Sequence, residues 1–379
     1  MNIKSLLIGS AAAFAAVSGA NAADAIVAAE PEAMEYVRVC DAFGTGFFYI
    51  PGTETCLKFQ GYVRFQTDFG RDKSGTSDWD SFTRAQFEVD TRTDSEFGAL
   101  RGFIGLRGDA DNGASSASGV HVNQAFIELG GLKVGKFYNW WDDGLSGETD
   151  VLATNSLFNS ARYVYDAGSF WIGVSVDELE GLGSQFGYRT GARVQSEVTE
   201  KFYNVITTKA DNNVGISAGA GAKFGAGSVQ FIGGYDVDLE EGALRLIATA
   251  DIGPGKLGIS GVWASGVNAY YAESEWAVAA EYAIKATDKL TVTPGFQYSG
   301  NVAATATALT GYTIGVTPGD ATTKYKLSND WSKADEWRAG LTVGYKIADG
   351  FSAKAAATYV DRDFAAEQWT GFVRFERAF

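Results

Sequence analysis

Cysteine, histidine, methionine and proline are scarce in this chain. Its 379 residues include 2 Cys, 1 His, 2 Met and 5 Pro. Two cysteines and one histidine cannot make up a usual zinc ligand set, so we expect neither a metal site nor a cofactor. A serine activated by histidine would have to use His121, which ends a Gly/Ser-rich segment and is more simply explained as a surface residue. The composition therefore argues against an enzyme.

Long apolar runs are missing after the first residues. Lys4, an apolar run over residues 6–17 and the small-residue pattern Ala20-Asn21-Ala22 predict a signal peptide over residues 1–22 that is removed after export. No later stretch approaches the roughly 18 apolar residues of a membrane-spanning helix. The sequence thus predicts an exported chain without a transmembrane helix.

Positive charge is in the minority. The chain has 31 Lys and Arg against 46 Asp and Glu, a net charge of -15, and removing Lys4 with the signal gives -15 - 1 = -16. This excess of negative charge argues against nucleic acid as a partner. The acidic side chains are expected to keep loops and water-facing surfaces solvated.

Glycine and aromatic residues are abundant instead. The chain has 47 Gly and 13% aromatic residues, and its mean hydropathy is -0.07. Sheet-forming chains with tight corners have such a composition. A mean hydropathy near zero fits a wall with one face toward lipid and the other toward water, because a helical membrane protein is far more apolar. An all-β fold is therefore favoured.

Apolar and polar residues alternate along many segments of about ten residues, the length of a tilted strand that crosses a membrane. In residues 57–67, Phe59, Val63 and Phe65 alternate with the polar set Lys58, Gln60, Tyr62, Arg64 and Gln66. Successive strand residues point to opposite faces of a sheet. The apolar set should therefore face lipid and the polar set should line water.

The connections between these segments alternate between short and long. Tight turns are indicated at residues 94–97, 130–131, 225–227, 253–256 and 348–350. Short turns on one side and long loops on the other are typical of a transmembrane antiparallel β-barrel. We count sixteen strands if residues 178–212 form one long loop and eighteen if they contain another hairpin. Sixteen is favoured because the alternation there is weak.

Both ends of the chain carry further signals. Cys40 and Cys56 are the only cysteines and follow the signal peptide, so the oxidising periplasm should join them. We therefore expect residues 23–56 to form a periplasmic segment and residues 57–379 to form the barrel. The alternating final segment ends at Phe379, which is typical of strands recognised by the outer-membrane assembly machinery, although Arg377 departs from that pattern. Aromatic residues expected at the membrane interfaces are Tyr298, Trp337, Phe351, Tyr359 and Trp369.

Several short stretches are distinctive. They are Glu35-Tyr36-Val37-Arg38-Val39-Cys40-Asp41, Tyr49-Ile50-Pro51-Gly52-Thr53-Glu54-Thr55-Cys56-Leu57, Gly61-Tyr62-Val63-Arg64, Gly135-Lys136-Phe137, Trp140-Trp141-Asp142-Asp143-Gly144 and Phe158-Asn159-Ser160-Ala161-Arg162-Tyr163. These stretches resemble the alphaproteobacterial general porin family from the signal to the terminal Phe, least well near residues 178–212. The resemblance implies a homotrimer of sixteen-stranded barrels in the outer membrane, each a water-filled channel for passive diffusion of small hydrophilic solutes and ions.

The resemblance also implies that a third external loop, residues 138–159, folds into the lumen and narrows the pore. The acidic residues of this loop are Asp142, Asp143, Glu148 and Asp150. Strand parity places an opposing basic set on inward positions, namely Arg64, Arg84, Arg92, Arg101 and Arg107, whereas Lys136 is placed outward. A narrow aqueous pore between low-dielectric walls would focus the field of these charges on a passing ion. The same charges could instead be paired and only satisfy the interior.

Other functions stay open on the sequence alone. A substrate-specific channel for sugars or amino acids could use Trp140 and Trp141 as an aromatic platform, although packing that holds the loop to the wall is the favoured explanation. A purely structural barrel is disfavoured, because small plugged barrels have about eight strands. The expected surroundings are outer-membrane lipid and lipopolysaccharide.

Overall fold

The computed structural model describes residues 38–70, 79–111, 119–179, 191–195, 202–206, 214–237, 239–303, 309–314, 322–327 and 331–379. The predicted signal peptide, residues 1–22, lies outside these ranges, as do residues 23–37 of the predicted periplasmic segment. The described part of the chain is all-β, apart from two single 3-10 turns at Asp41–Phe43 and Trp140–Asp142. None of its helices is long and apolar enough to cross a membrane.

Sixteen strands form one closed antiparallel β-barrel. They are β2 (Cys56–Phe69), β3 (Trp79–Ser95), β4 (Gly98–Asp111), β5 (His121–Leu129), β6 (Leu132–Tyr138), β7 (Leu157–Asp166), β8 (Phe170–Glu178), β11 (Val214–Phe224), β12 (Gly227–Asp236), β13 (Glu241–Ile252), β14 (Gly255–Ala264), β15 (Ser274–Lys285), β16 (Leu290–Val302), β19 (Glu336–Ala348), β20 (Phe351–Arg362) and β21 (Gln368–Ala378). The ring closes because β2 pairs with β3 on one side and with β21 on the other. The predicted sixteen-stranded barrel is confirmed.

Five further strands stand outside this ring of sixteen. They are β1 (Phe48–Tyr49), β9 (Gly191–Gln195), β10 (Phe202–Ile206), β17 (Leu309–Ile314) and β18 (Thr322–Leu327). Strands β9 and β10 pair only with each other, so the weakly patterned region 178–212 contains a hairpin that adds no strand to the barrel. A second such hairpin, β17 with β18, lies in the loop between β16 and β19 and was not predicted.

The predicted alternation is present in the walls. Phe59, Val63 and Phe65 are 47–48% exposed on the outside of the isolated barrel, whereas Gln66 on the other face is 7% exposed. The five predicted tight turns each join two paired strands.

Aromatic side chains form a row on the outer face of the last strands. Trp337 lies 5.3 Å from Tyr359, whose ring lies 5.4 Å from that of Trp369, and Trp276 stacks on Tyr298 at 5.6 Å. Aromatic rings are enriched where a barrel meets the membrane–water interface. The row therefore marks one interface, which includes four of the five predicted aromatic residues.

The N-terminal segment completes the wall where β2 and β21 meet. The last residue, Phe379, exchanges backbone hydrogen bonds with Gly61, so β21 leaves the first residues of β2 without a partner on that side. There β1 pairs with β2, Phe48 opposite Leu57 and Tyr49 opposite Cys56. The predicted disulfide joins Cys40 to Cys56 with Cα atoms 6.0 Å apart and holds this patch in place.

Arg377 departs from the usual terminal pattern for a local reason. Its side chain is on the outer face at the end of β21, where its Nη1 donates to the carbonyl oxygen of Asp349, 2.8 Å away in the β19–β20 turn. Gly350 in the same turn has φ +68°, and a Cβ there would collide with the Arg377 guanidinium. A charged residue is tolerated here because it reaches the polar rim of the barrel.

We predict that replacing Cys40 and Cys56 together by serine weakens the barrel without changing its strand content. A loop of this length contributes about 3 kcal/mol in the chain-entropy model. Urea unfolding followed by tryptophan fluorescence measures the loss. The wild-type protein treated with reductant should show the same loss, and equal stability of the two forms would contradict the prediction.

Candidate functional site

The third external loop runs through the barrel interior. This inner loop, residues 139–156, connects β6 to β7, so it is slightly shorter than the predicted span 138–159. It lies against the inner faces of the later strands. The contacts are Gln230 to Asp143 (2.7 Å), Ser146 and Gly147 backbone N–H to Glu281 (2.8 and 2.7 Å), Val151 N–H to Gln297 (2.8 Å) and Glu148 N–H to Thr342 (2.9 Å).

Arg245 anchors the two ends of the inner loop to β13. Its Nη1 donates to the carbonyl oxygens of Leu152 (2.6 Å) and Trp141 (3.1 Å), and its Nη2 donates to that of Trp140 (2.8 Å). The residue is 1% exposed. A buried guanidinium is stable only when it is hydrogen-bonded, and three carbonyl dipoles provide that compensation here. The loop backbone is thereby fixed to the wall at both ends.

Asp177 on β8 forms a second anchor. Its carboxylate accepts hydrogen bonds from side chains of five residues, each within 2.6–3.0 Å: Asn139, Ser160, Ser175, Ser217 and Tyr270. These donors come from the inner loop, three strands and the loop 265–273. Burial raises the pKa of the Tyr270 phenol, and the adjacent Asp177 raises it further, so the hydroxyl stays protonated and donates. The network ties the start of the inner loop to the wall.

An apolar cluster inside the barrel fills the space behind the inner loop. Trp141, Tyr270 and Tyr271 are fully buried, and Trp140 is 8% exposed. The Trp140 ring stacks on Trp171 of the wall at 5.5 Å. Because neither tryptophan presents an open face to the lumen, the structure favours the packing role over a sugar platform.

The four acidic residues predicted in this loop have different surroundings. Asp143 is exposed and accepts from Gln230, whereas the Glu148 carboxylate lies 2.7 Å from Lys354 Nζ on β20 and 3.6 Å from Arg374 Nη1 on β21. Asp150 turns back to its own loop and accepts from the N–H of Leu152 at 3.2 Å. The Asp142 side chain has no hydrogen bond or ion pair within the described residues.

Burial raises the pKa values of Asp142 and Asp150 above their usual range. For Asp142 the neighbouring carboxylate of Asp143 adds to the rise, while Arg245 and Arg107 oppose it. For Asp150 the loop N–H of Leu152 opposes the rise. These two carboxyl groups therefore lose their charge at higher pH than ordinary aspartates do.

The five predicted arginines occupy β2, β3 and β4, and four of them have acidic partners. Arg64 pairs with Glu376 at 2.6 Å and Arg84 with Asp109 at 2.7 Å, while Arg107 donates to Gln86 at 2.8 Å. Within the described residues, none of these three arginines has a hydrogen bond or ion pair with the inner loop. Arg92 and Arg101 lie nearer the turn between β3 and β4 and share the carboxylate of Asp90, at 3.0 and 2.9 Å.

Sequence reasoning missed the residues that hold the inner loop. They are Asp177, Arg245, Glu281, Gln297, Lys354 and Arg374. Parity already places Arg245 inward between Ala243 and Ile247, and a single charge between two small or apolar inward residues is a signal for a buried anchor. The sequence around Arg245 does not indicate which loop its guanidinium would bind.

Comparison with known proteins identifies the family. The model of the family described as "Porin subfamily" matches residues 24–374. The chain belongs to this porin subfamily. Outer membrane protein IIIA of Rhizobium leguminosarum bv. viciae is 46% identical to it over 98% of the chain and 93% of that protein. Porin Omp2b of Brucella neotomae is 34% identical over the whole of both.

Solved outer membrane proteins share the fold at much lower identity. The outer membrane channel DcaP of Acinetobacter baumannii superposes with a TM-score of 0.60 at 13% identity, over 87% of this chain and 99% of that one. The trimer form of OmpT from Vibrio cholerae gives 0.56 at 15% identity, over 86% and 100%. This porin is an outer-membrane channel for passive diffusion, and its family indicates a channel rather than an enzyme.

We predict that Arg245→Gln loosens the inner loop and leaves the porin barrel intact. The change removes charged hydrogen bonds to three carbonyl groups, worth roughly 1.5–3 kcal/mol each. Single-channel recordings should show larger current fluctuations and a raised mean conductance. Arg338→Gln is the matched control, because Arg338 pairs with Glu336 of its own strand and not with the loop. Unchanged recordings for Arg245→Gln would contradict the anchoring role.

Proposed function

We propose that small hydrophilic solutes and ions pass through an eyelet between the inner loop and the arginine-bearing wall of β2, β3 and β4. The observation that carries this proposal is the one-sided position of the loop. Its contacts with the wall run from β8 to β21, so the remaining passage lies beside Arg64, Arg84 and Arg107 of β2, β3 and β4. Acidic groups on the loop and basic groups on the wall would set up a field across the passage.

The proposed eyelet should give a weak preference for cations. Asp142 and Asp143 lie on the loop without a cationic partner, whereas Arg64 and Arg84 are each paired with a carboxylate. The chain is also acidic overall, with a net charge of -15. Paired arginines project a weaker field than unpaired carboxylates do, which favours cations without excluding anions.

We predict that Asp142→Asn together with Asp143→Asn shifts the reversal potential toward anions. A field effect of roughly 0.4 kcal/mol, within the range of exposed ion pairs, corresponds to about a twofold fall in the cation-to-anion permeability ratio. Bilayer recordings in a KCl gradient at low salt measure it. The asparagines keep the size of the side chains and the Gln230 hydrogen bond, so conductance should change little.

Two controls accompany this double variant. Acidifying the wild-type channel should begin to weaken the same preference at a pH above the usual aspartate range, because burial raises the pKa of Asp142. The difference between the channels should shrink in 1 M salt, where the Debye length is about 3 Å. An unchanged reversal potential at low salt would place the inner loop outside the permeation path.

A substrate-specific channel for a sugar or an amino acid is the second candidate. Its best support in the sequence was the pair Trp140 and Trp141. Both side chains are buried against the wall, so they do not offer a platform for a sugar ring. A saturable block of the current by sugars would support the substrate-specific channel. No contact in the described residues favours an outer-membrane enzyme.

We also propose that the protein assembles as a homotrimer in contact with outer-membrane lipid and lipopolysaccharide. The solved OmpT trimer form is one support. A polar row on the outer face is another: Lys136, Asn159 and Glu178 are opposite one another on β6, β7 and β8, and Asn159 donates to Glu178 at 2.8 Å. A charged lipid-facing position near a strand end is unfavourable by up to about 1 kcal/mol, so a row of three polar residues there suits a protein neighbour better than lipid.

We predict a trimeric mass in mild detergent, measured by light scattering or native mass spectrometry. Replacing Lys136 and Glu178 by leucine should shift the equilibrium if the polar row is at the seam. The matched control is Lys346→Leu, because Lys346 pairs with Asp349 at a turn. A monomeric channel of full conductance would refute the trimer.

The chain ends belong to the same proposal. Residues 1–22 would direct export and be removed, residues 23–56 would lie at the periplasmic entrance, and the last strand with Phe379 would be recognised by the assembly machinery. The support is the pairing of Phe379 with Gly61 at the closing seam and the disulfide beside it.

A further inference from the structure

One cross-strand row of the inner wall carries an unusual concentration of cations. The register of strands β2 to β7 places one residue of each strand directly opposite the next. In chain order these residues are Cys56, Arg92, Arg101, Glu128, Lys133 and Arg162. We call Arg92, Arg101, Lys133 and Arg162 the basic row. It runs across five strands, from the disulfide at one end to the root of the inner loop at the other.

The basic row is only partly neutralised. Asp90 pairs with Arg92 and Arg101, and Glu128 lies 3.4 Å from Arg101 and 3.9 Å from Lys133. Four cations therefore face two carboxylates, an excess of two positive charges in a chain that is strongly acidic as a whole. The excess lies at the end of the row nearest the inner loop.

Arg162 is the residue of the row without a direct ion pair. It is 8% exposed, its Nε and Nη2 have no hydrogen-bond partner, and the carboxylates of Asp177 and Asp143 act on it only from beyond ion-pair distance. Its guanidinium stacks on Trp140 at 3.9 Å and on Phe137 at 4.7 Å, and Lys133 Nζ lies 4.8 Å from the same Phe137 ring. Aromatic faces attract the two cations but leave their net charge in place. A buried charge without a partner is unfavourable, so it attracts an anion from outside.

We propose that the basic row binds small phosphate-bearing anions at its Lys133–Arg162 end, beside the root of the inner loop. The Lys133 side chain is 25% exposed and supplies accessible N–H donors, whereas Arg162 supplies a positive charge that has no direct ion pair. Neighbouring strands are about 4.8 Å apart, a spacing that several oxygens of one phosphate group can bridge. Anions held on this wall would pass opposite the acidic loop. The inference rests on the proposed channel and adds a class of solute to it.

Pyrophosphate is the probe for this site. Added to the wild-type channel in dilute KCl, it should reduce the current in a saturable way, and Lys133→Gln should raise the half-blocking concentration about five- to tenfold. Glu128→Gln should lower that concentration, because it removes a competing carboxylate. Since these two changes act in opposite directions, a general loss of structure cannot reproduce both.

Two comparisons separate this site from lumen charge in general. Lys285→Gln removes a lysine at an inward parity position of β15, outside the basic row, and should leave the block unchanged. Calorimetry of pyrophosphate binding to the detergent-solubilised protein should rank the variants in the same order. Equal block in wild-type and Lys133→Gln channels, or equal weakening by Lys285→Gln, would overturn the inference. Binding that follows the predicted order in a barrel without KCl conductance would support the site and contradict the proposed channel.

Discussion

Backbone N–H and C=O groups have no water to bind inside a membrane, and this constraint organises the whole porin. Each strand must be paired on both sides, which is possible only in a closed ring. The chain therefore has to bring β2 and β21 together from opposite ends. Where β21 stops, at the pair Gly61 and Phe379, the two-residue strand β1 continues the pairing. The disulfide beside it secures this part of β2, which β21 does not cover.

A closed ring of sixteen strands leaves a lumen too wide for side chains to fill, and the interior is organised accordingly. The inner loop divides it into a packed half and an open half. In the packed half, Arg245 and Asp177 bury their charges by binding loop carbonyls, amides and hydroxyls. In the open half, Arg64 and Arg84 pair with carboxylates of neighbouring strands. Charged side chains thus hold the inner loop in the packed half of the lumen and face water in the open half.

Much of this architecture follows from local pattern, and some of it cannot. Alternation in residues such as Phe59 and Val63 identifies each strand, because the period of two is a property of the strand alone. Counting such segments gives the barrel size, and the disulfide follows from the presence of only two cysteines in an exported chain. The partners of the inner loop do not, since Glu281 meets Ser146 across 135 positions of sequence and no local signal encodes that contact. For the same reason Lys133 and Arg162 are unremarkable in sequence, and only the register of the strands aligns them.

The tip of the inner loop depends on the end of the chain. Glu148 contacts Lys354 on β20 and Arg374 on β21, and β21 is the strand that closes the ring against β2. The tip therefore has both of its cationic partners only once β20 and β21 have joined the wall. A chain truncated before Arg374 loses both the closing strand and one of the cations at the tip. Closure of the barrel and narrowing of its lumen by the inner loop are therefore coupled, and a barrel without its last strands lacks the narrow passage.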